Sequence, residues 1–234
     1  MASVMLLPGL ACDAGQWHAQ IPALRAAGHR VAVSDVHARH ATLPEMAVAL
    51  LAEHAGAWVL IGTSMGGMLA FELLRQAAQR VTALALLGST ARPDTPELLQ
   101  LRSDAVVRFA RGEAADVLRE NLPFAIHPSR ADDTPLIERY LELVLRAGAE
   151  QLIAQNRALM QRPDNRPLLS RIACPTLVAC GDADALTPLE HAVEIAGAIP
   201  GARLEVIERC GHLMTLEQPD RVNALLLDWL AGLR

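Results

Sequence analysis

Six short apolar runs, at residues 4–7, 30–34, 58–61, 84–87, 176–180 and 204–207, constrain this chain more than any other feature. They hold almost no charge, and a strand without a polar side has no wet face, so each must be covered above and below. Between most of them lie segments with apolar residues at helical spacing, at 14–27, 44–54, 65–79, 189–199 and 219–233. Strand alternating with helix implies parallel strands, because a parallel neighbour is reached only through a long crossover. The predicted architecture is an α/β fold: a mostly parallel central sheet of about six strands with helices on both faces.

Local signals add detail. In 65–79 the polar residues Glu72, Arg75, Gln76 and Gln79 fall at i, i+3, i+4 and i+7, so only one stripe of that helix can be wet. Such a helix packs tightly against the middle of a sheet. Thr187-Pro188-Leu189-Glu190 reads as a capping box with proline at the first helical position, which makes the preceding residues a loop at a strand's carboxyl end. From 92 to 166 the alternation stops. This stretch is richer in Arg, Asp and Glu, is bounded by Pro93, Pro96, Pro163 and Pro167, and shows helical periodicity without clear strands. Periodicity leaves open whether its helices merely cover the sheet; the expectation is a helical lid, 92–166, inserted between core segments 1–91 and 167–234.

Composition excludes several functions. With 234 residues, 52% of them hydrophobic, the chain can bury one substantial core, which argues against disorder. The net charge of −5 comes with no basic stripe and no basic amphipathic helix, so neither nucleic acid nor a membrane surface is expected as a partner. Every basic residue is arginine, which removes Schiff-base, pyridoxal-phosphate and P-loop chemistry, all of which need a lysine. Residues 1–12 carry no positive charge and only a short apolar run, and nothing approaches the length of a membrane span, so the cytoplasm is expected. Cys12, Cys174, Cys180 and Cys210 lack metal-site spacing and read as small apolar residues rather than disulfides. His37 and His40 offer no third metal ligand and read as surface histidines.

The chemistry concentrates at three places. Gly62-Thr63-Ser64-Met65-Gly66 follows the run 58–61 directly and opens the helix at 65, the strand-turn-helix setting in which a serine is held on a sharp, strained turn. A serine hydroxyl is a weak nucleophile at neutral pH and needs a base, which in turn needs an acid to fix its tautomer. Cys210-Gly211-His212 follows the run 204–207 by a short loop, and Gly181-Asp182-Ala183-Asp184 follows the run 176–180 in the same way. Ser64, an Asp and His212 then meet at the carboxyl edge of the sheet, in the chain order Ser, Asp, His.

With these residues the chain resembles the α/β-hydrolase superfamily: Gly62 to Gly66 looks like its nucleophile elbow, 181–188 like its acid loop, and Gly211-His212 like its histidine loop. The resemblance spans nearly the whole chain and implies Ser64 as nucleophile, His212 as base and, three residues after Gly181, Asp184 rather than Asp182 as the acid. It further implies an oxyanion hole from the backbone N–H groups of Met65 and Leu10, the latter in Pro8-Gly9-Leu10, where the family usually has histidine in place of Pro8. Trp17 matches an aromatic position of the family after this turn, and stands equally as a substrate-pocket residue or a core tryptophan. In length, elbow and histidine loop the chain is similar to small bacterial ester and enol-lactone hydrolases of the 3-oxoadipate enol-lactonase kind. The implied reaction is hydrolysis of a carboxylic ester or lactone on a small-molecule acyl substrate, with no metal or organic cofactor. The same triad serves carbon–carbon bond hydrolases, thioesterases and acyltransferases. A binding protein that uses the pocket without turnover is the reading from another class; it has no need of all three triad residues.

Overall fold

The computed structural model describes residues 1–233. Strand β1 (Ser3–Leu7) leads through a short 3-10 turn (Ala14–Trp17) to α1 (Gln20–Ala26), β2 (Arg30–Val33) to α2 (Leu43–Glu53), and β3 (Trp58–Thr63) to α3 (Met65–Ala77). After β4 (Val81–Leu87) the chain leaves the sheet for a helical insertion, α4 (Pro96–Ala110), α5 (Ala114–Ala125), α6 (Thr134–Leu145), α7 (Gly148–Met160) and α8 (Arg166–Leu169). It returns with β5 (Thr176–Gly181), α9 (Leu189–Ala198), β6 (Arg203–Ile207), α10 (Met214–Glu217) and α11 (Pro219–Ala231).

The six strands pair in the order β2-β1-β3-β4-β5-β6, and every pairing is parallel. Successive side chains of a strand point to opposite faces, and both sets are buried. Met5, Leu7, Leu60, Leu84 and Leu86 pack with Met46 and Leu50 of α2, Phe71 and Leu73 of α3 and Ile195 of α9. Val4, Leu6, Val59, Ile61 and Ala85 pack on the other face with Leu24 of α1 and Val222, Leu226 and Trp229 of α11. Each such side chain contributes roughly 1.5–3 kcal/mol, so this sandwiching rather than local helix propensity holds the helices in place. On α3 only Arg75 and Gln76 escape burial; Glu72 is covered, its carboxylate accepting hydrogen bonds from both.

Two local expectations change. Segment 14–27 is not one helix: the Asp13 carboxylate accepts the Gly15 N–H and caps a separate 3-10 turn, and α1 begins only at Gln20. Helix α9 does begin near Thr187, but Pro188 is its N-cap and no side chain caps it. The Thr187 hydroxyl donates to Asp184 instead, at 2.8 Å. The capping box lies at α2, between Thr42 and Glu45.

The insertion has an apolar cluster of its own, built from residues such as Phe109, Leu118, Leu122, Leu141, Val144 and Leu152. Ala11 and Cys12, from the loop after β1, and Leu213 and Leu216, from the segment after β6, complete it. At its neck the Asn165 N–H donates to the Ala91 carbonyl (2.8 Å), Arg162 Nε donates to the Arg92 carbonyl (2.9 Å), and Arg162 Nη2 lies 2.7 Å from Asp94 Oδ1. Among the described residues, no helix is long and apolar enough to cross a membrane.

Candidate active site

A parallel sheet brings its carboxyl ends to one edge, and the register here aligns them: Leu7 lies opposite Gly62, Thr63 opposite Leu87, Leu87 opposite Ala179 and Gly181 opposite Ile207. The turns after β1, β3, β4, β5 and β6 therefore converge. Ser64 sits between β3 and α3 with φ +48° and ψ −115°, a left-handed backbone that costs a non-glycine residue on the order of 1–3 kcal/mol. Hydrogen bonds hold it there. Its N–H donates to the Leu87 carbonyl (2.9 Å), and its carbonyl accepts from the Gly67 N–H (3.0 Å) and the Ser89 hydroxyl (2.9 Å). The turn is tight enough to require Gly62 and Gly66: a Cβ on Gly62 would lie 2.6 Å from Gly66 backbone atoms, and one on Gly66 would lie 2.0 Å from the Leu7 carbonyl oxygen and 2.8 Å from that of Pro8.

His212 and Asp184 meet directly, Nδ1 to Oδ2 at 2.8 Å. Asp184 is buried and fully engaged: Oδ1 accepts the N–H groups of Leu186 (3.0 Å) and Thr187 (2.8 Å), and Oδ2 accepts the Thr187 hydroxyl. Burial pushes its pKa up, but the His212 charge and hydrogen bond and the Thr187 donors outweigh that and hold it below its ordinary value. Asp182 has other partners, accepting the N–H groups of Arg209 (2.9 Å) and Cys210 (3.0 Å) and thereby tying the acid loop to the histidine loop. The dyad packs on Gly88, the residue after Leu87: a Cβ there would lie 3.3 Å from His212 Nδ1 and 3.1 Å from Asp184 Oδ2. Ser64 thus hydrogen-bonds to Leu87 and His212 packs on Gly88, adjacent residues at the end of β4.

The loop after β1 resolves which backbone donors are free. Gly9 N–H donates to Gln16 Oε1 (2.9 Å), Ala11 N–H to Gln155 Oε1 (2.6 Å) and Cys12 N–H to the Gly9 carbonyl (3.1 Å), while Pro8 has no N–H. Leu10 N–H, between them, has no acceptor among the described residues, and neither does the N–H of Met65 at the first position of α3. Gly66, against the Pro8 carbonyl, brings this loop and the elbow side by side. Trp17 is fully buried in the apolar layer with Val4, Leu6 and Leu24.

Sequence reading missed three buried polar side chains around these loops. Glu217, 2% exposed, accepts the N–H groups of Gly211 and Leu213, which flank His212, and of His127 from the insertion (2.8 Å). Burial raises its pKa, more than those donors and Arg130 lower it. Gln16 bridges Gly9 N–H and the Thr63 hydroxyl (3.1 Å), and Gln155 comes from α7 of the insertion. A glutamate ending the apolar stretch 213–216 was the one readable signal; the glutamines gave none. His37, expected on the surface, is buried because its Nε2 donates to the Cys12 carbonyl (2.7 Å). A cavity of about 350 Å³ opens beside the same loop, lined by Cys12, His37, Leu143, Arg146 and Gln151 among others. The four cysteines are free thiols, and burial raises the pKa of each. Among the described residues no group of three or more His, Cys, Asp or Glu side chains is arranged to hold a metal ion.

Comparison with known proteins agrees with the fold. Residues 4–225 match the model of the alpha/beta hydrolase family. A pimeloyl-[acyl-carrier protein] methyl ester esterase of Neisseria meningitidis is 30% identical over 74% of this chain and 69% of its own. A 2-hydroxy-6-oxo-6-phenylhexa-2,4-dienoate hydrolase of Comamonas testosteroni is 27% identical over 73% of this chain and 62% of its own. Among solved structures, a thermophilic esterase from Thermogutta terrifontis superposes with a TM-score of 0.90 at 32% identity, covering 100% of this chain and 90% of that one. The enol-lactonase of Burkholderia xenovorans shares the fold, with a TM-score of 0.88 at 22% identity over 99% of this chain and 92% of its own. With its sheet, its elbow turn and the family match over nearly its full length, the chain belongs to the alpha/beta hydrolase family.

Proposed function

We propose that this hydrolase cleaves a carboxylic ester or lactone through an acyl-enzyme on Ser64. The observation that carries the reading is the 2.8 Å hydrogen bond from His212 Nδ1 to Asp184 Oδ2, on the sheet edge that also holds the strained Ser64. With Nδ1–H given to Asp184, Nε2 of the neutral ring is the free base. Ser64 Oγ attacks the carbonyl carbon as Nε2 takes its proton, and the oxyanion that forms accepts the Leu10 and Met65 N–H groups, neither of which has an acceptor among the described residues. His212 returns the proton to the leaving alkoxide oxygen; a water, deprotonated by the same nitrogen, then releases the acid. Asp184 orients the ring and stabilises its cation. Segment 92–166 acts as the lid and selects a small acyl substrate.

Relatives named as esterases, at 30% and 32% identity, support ester chemistry. The Comamonas relative favours carbon–carbon bond hydrolysis as the second reading, with the same three residues. Fluorophosphonate labelling followed by peptide mass spectrometry is the test. Label on Ser64 of the native protein, lost in Ser64→Ala and His212→Ala, is expected. Turnover of p-nitrophenyl esters and lactones, but not of a dienone diketo acid, then separates the two readings. A folded native protein that takes no label and turns over neither substrate class would be a binding protein on this fold.

A further inference from the structure

The insertion reaches into the loop that carries the Leu10 donor through one side chain. Gln155 lies on α7, is fully buried, and spans two backbone groups: Oε1 accepts the Ala11 N–H at 2.6 Å and Nε2 donates to the His37 carbonyl at 2.9 Å. Ala11 needs such a partner. Its φ of +55° is left-handed, a conformation that is strained for an alanine and persists only where the surroundings hold it. On the other side of Leu10, Gly9 N–H is held by Gln16. The Leu10 peptide is thus clamped between two side-chain amides, one from the core and one from the insertion. His37, buried and held neutral by that burial, fixes the Cys12 carbonyl on the same turn.

We infer that Gln155 is a positioning residue for the oxyanion hole: by holding Ala11 N–H it aims the neighbouring Leu10 N–H at the oxyanion, so that the hole is complete only while the insertion is seated. This rests on the acyl-enzyme reading above. An unmade bond at Ala11 frees the Leu10–Ala11 peptide to rotate and release the strain, and the adjoining Gly9–Leu10 peptide, which carries the Leu10 N–H, loses that anchor and shifts through Leu10 φ and ψ. Because the donor acts on charge that develops in the transition state, its misplacement lowers kcat and leaves ground-state binding nearly unchanged.

The test uses Gln155→Leu, which removes the acceptor, and Gln155→Asn, which withdraws it by one methylene. Kinetics with a p-nitrophenyl ester are counted per serine titrated by fluorophosphonate, beside inhibition by a trifluoromethyl ketone whose adduct places an oxyanion in the hole. Removing one such donor outright costs about 100-fold to 1,000-fold in kcat, so a misaimed one is expected to cost about 10-fold to 100-fold. Ketone affinity should fall by a similar factor, with KM within about 3-fold. A structural role alone would reduce the titrated fraction or raise KM without this parallel loss. Unchanged kcat and ketone affinity in either folded variant overturns the assignment. Should neither variant fold, amide hydrogen exchange in the native protein decides: Ala11 must be protected, and ketone binding must shift the Leu10 amide proton downfield while leaving Ala11 in place. A freely exchanging Ala11, or an unmoved Leu10, overturns it too. A native protein that neither labels at Ser64 nor hydrolyses the ester refutes the underlying acyl-enzyme reading instead.

Discussion

At His212 two tendencies compete. Burial favours the neutral ring, while the Asp184 carboxylate, its hydrogen bond and the charge of Glu217 favour the cation; these together win, and the ring titrates above its ordinary value of 6.5. The base in the proposed mechanism is the neutral ring, so kcat/KM should rise with pH through a midpoint above 6.5. Asp184→Asn removes the main opposing charge, leaving burial to pull the midpoint downward, and misorients the ring, for a loss of about 10,000-fold in kcat. A pH–rate profile of p-nitrophenyl ester hydrolysis checks both; a midpoint that stays put in Asp184→Asn would assign the titration to another group. Residues of this kind were legible because their chemistry is tied to local context: a serine between strand and helix, an aspartate and a histidine each one short loop beyond a strand. Gln155 and Gln16 were not, since a polar residue in a segment of helical periodicity reads as wet. Gln155 meets Ala11 across 144 positions, and no local pattern encodes that contact.

Among the elements, the strands could be read because both their faces are buried, and a run with no polar side has few other places to be. Their order could not, since six runs of similar composition carry no pairing code. Helix ends failed where a side chain had a second use: Thr187 matched a capping pattern, yet its hydroxyl serves Asp184. The insertion was legible as a break in the alternation, but not the way its ends are fastened. Asp94, with a side chain only 1% exposed, lies between Arg102 (2.8 Å) and Arg162 (2.7 Å), whose own side chain is 3% exposed. Burial lowers the Arg162 pKa and the Asp94 contact opposes it, so the arginine depends on its partner. Removing one member of a buried pair strands the other. Asp94→Ala should therefore destabilise by about 3–5 kcal/mol, roughly 10 °C in Tm for a chain of this length. Asp94→Leu combined with Arg162→Met should recover much of the loss, because an apolar pair of similar size carries no desolvation penalty. Calorimetry of the two variants distinguishes this from a surface contact, for which both changes would stay within about 1 kcal/mol.

In the whole molecule the two apolar layers of the sheet and the cluster of the insertion are three clusters, joined by loops and by Ala158 and Leu159 of α7 and Leu169 of α8, which pack into the layer with α2, α3 and α9. Ala11, Cys12, Leu213 and Leu216 belong to the insertion's cluster, and they adjoin Leu10 and His212. Opening the insertion therefore exposes apolar surface beside His212 and Leu10 before any strand separates. The central strands, β1, β3, β4 and β5, have neighbours on both edges and helices on both faces, so their amides should exchange only on global unfolding, whereas those of α4 to α7 should exchange through a lower-energy opening. Esterase activity should follow the insertion, not the sheet. In a urea titration, turnover is expected to fall at concentrations where the far-ultraviolet signal of the sheet and its covering helices is still largely native, and a bound trifluoromethyl ketone should move the loss of the insertion toward the global transition by mass action. If activity, helix exchange and ellipticity instead disappear in one transition, the shared loops bind the insertion and the sheet into a single cooperative unit. Substrate entry would then require only local motion of the insertion helices, not its release from the sheet.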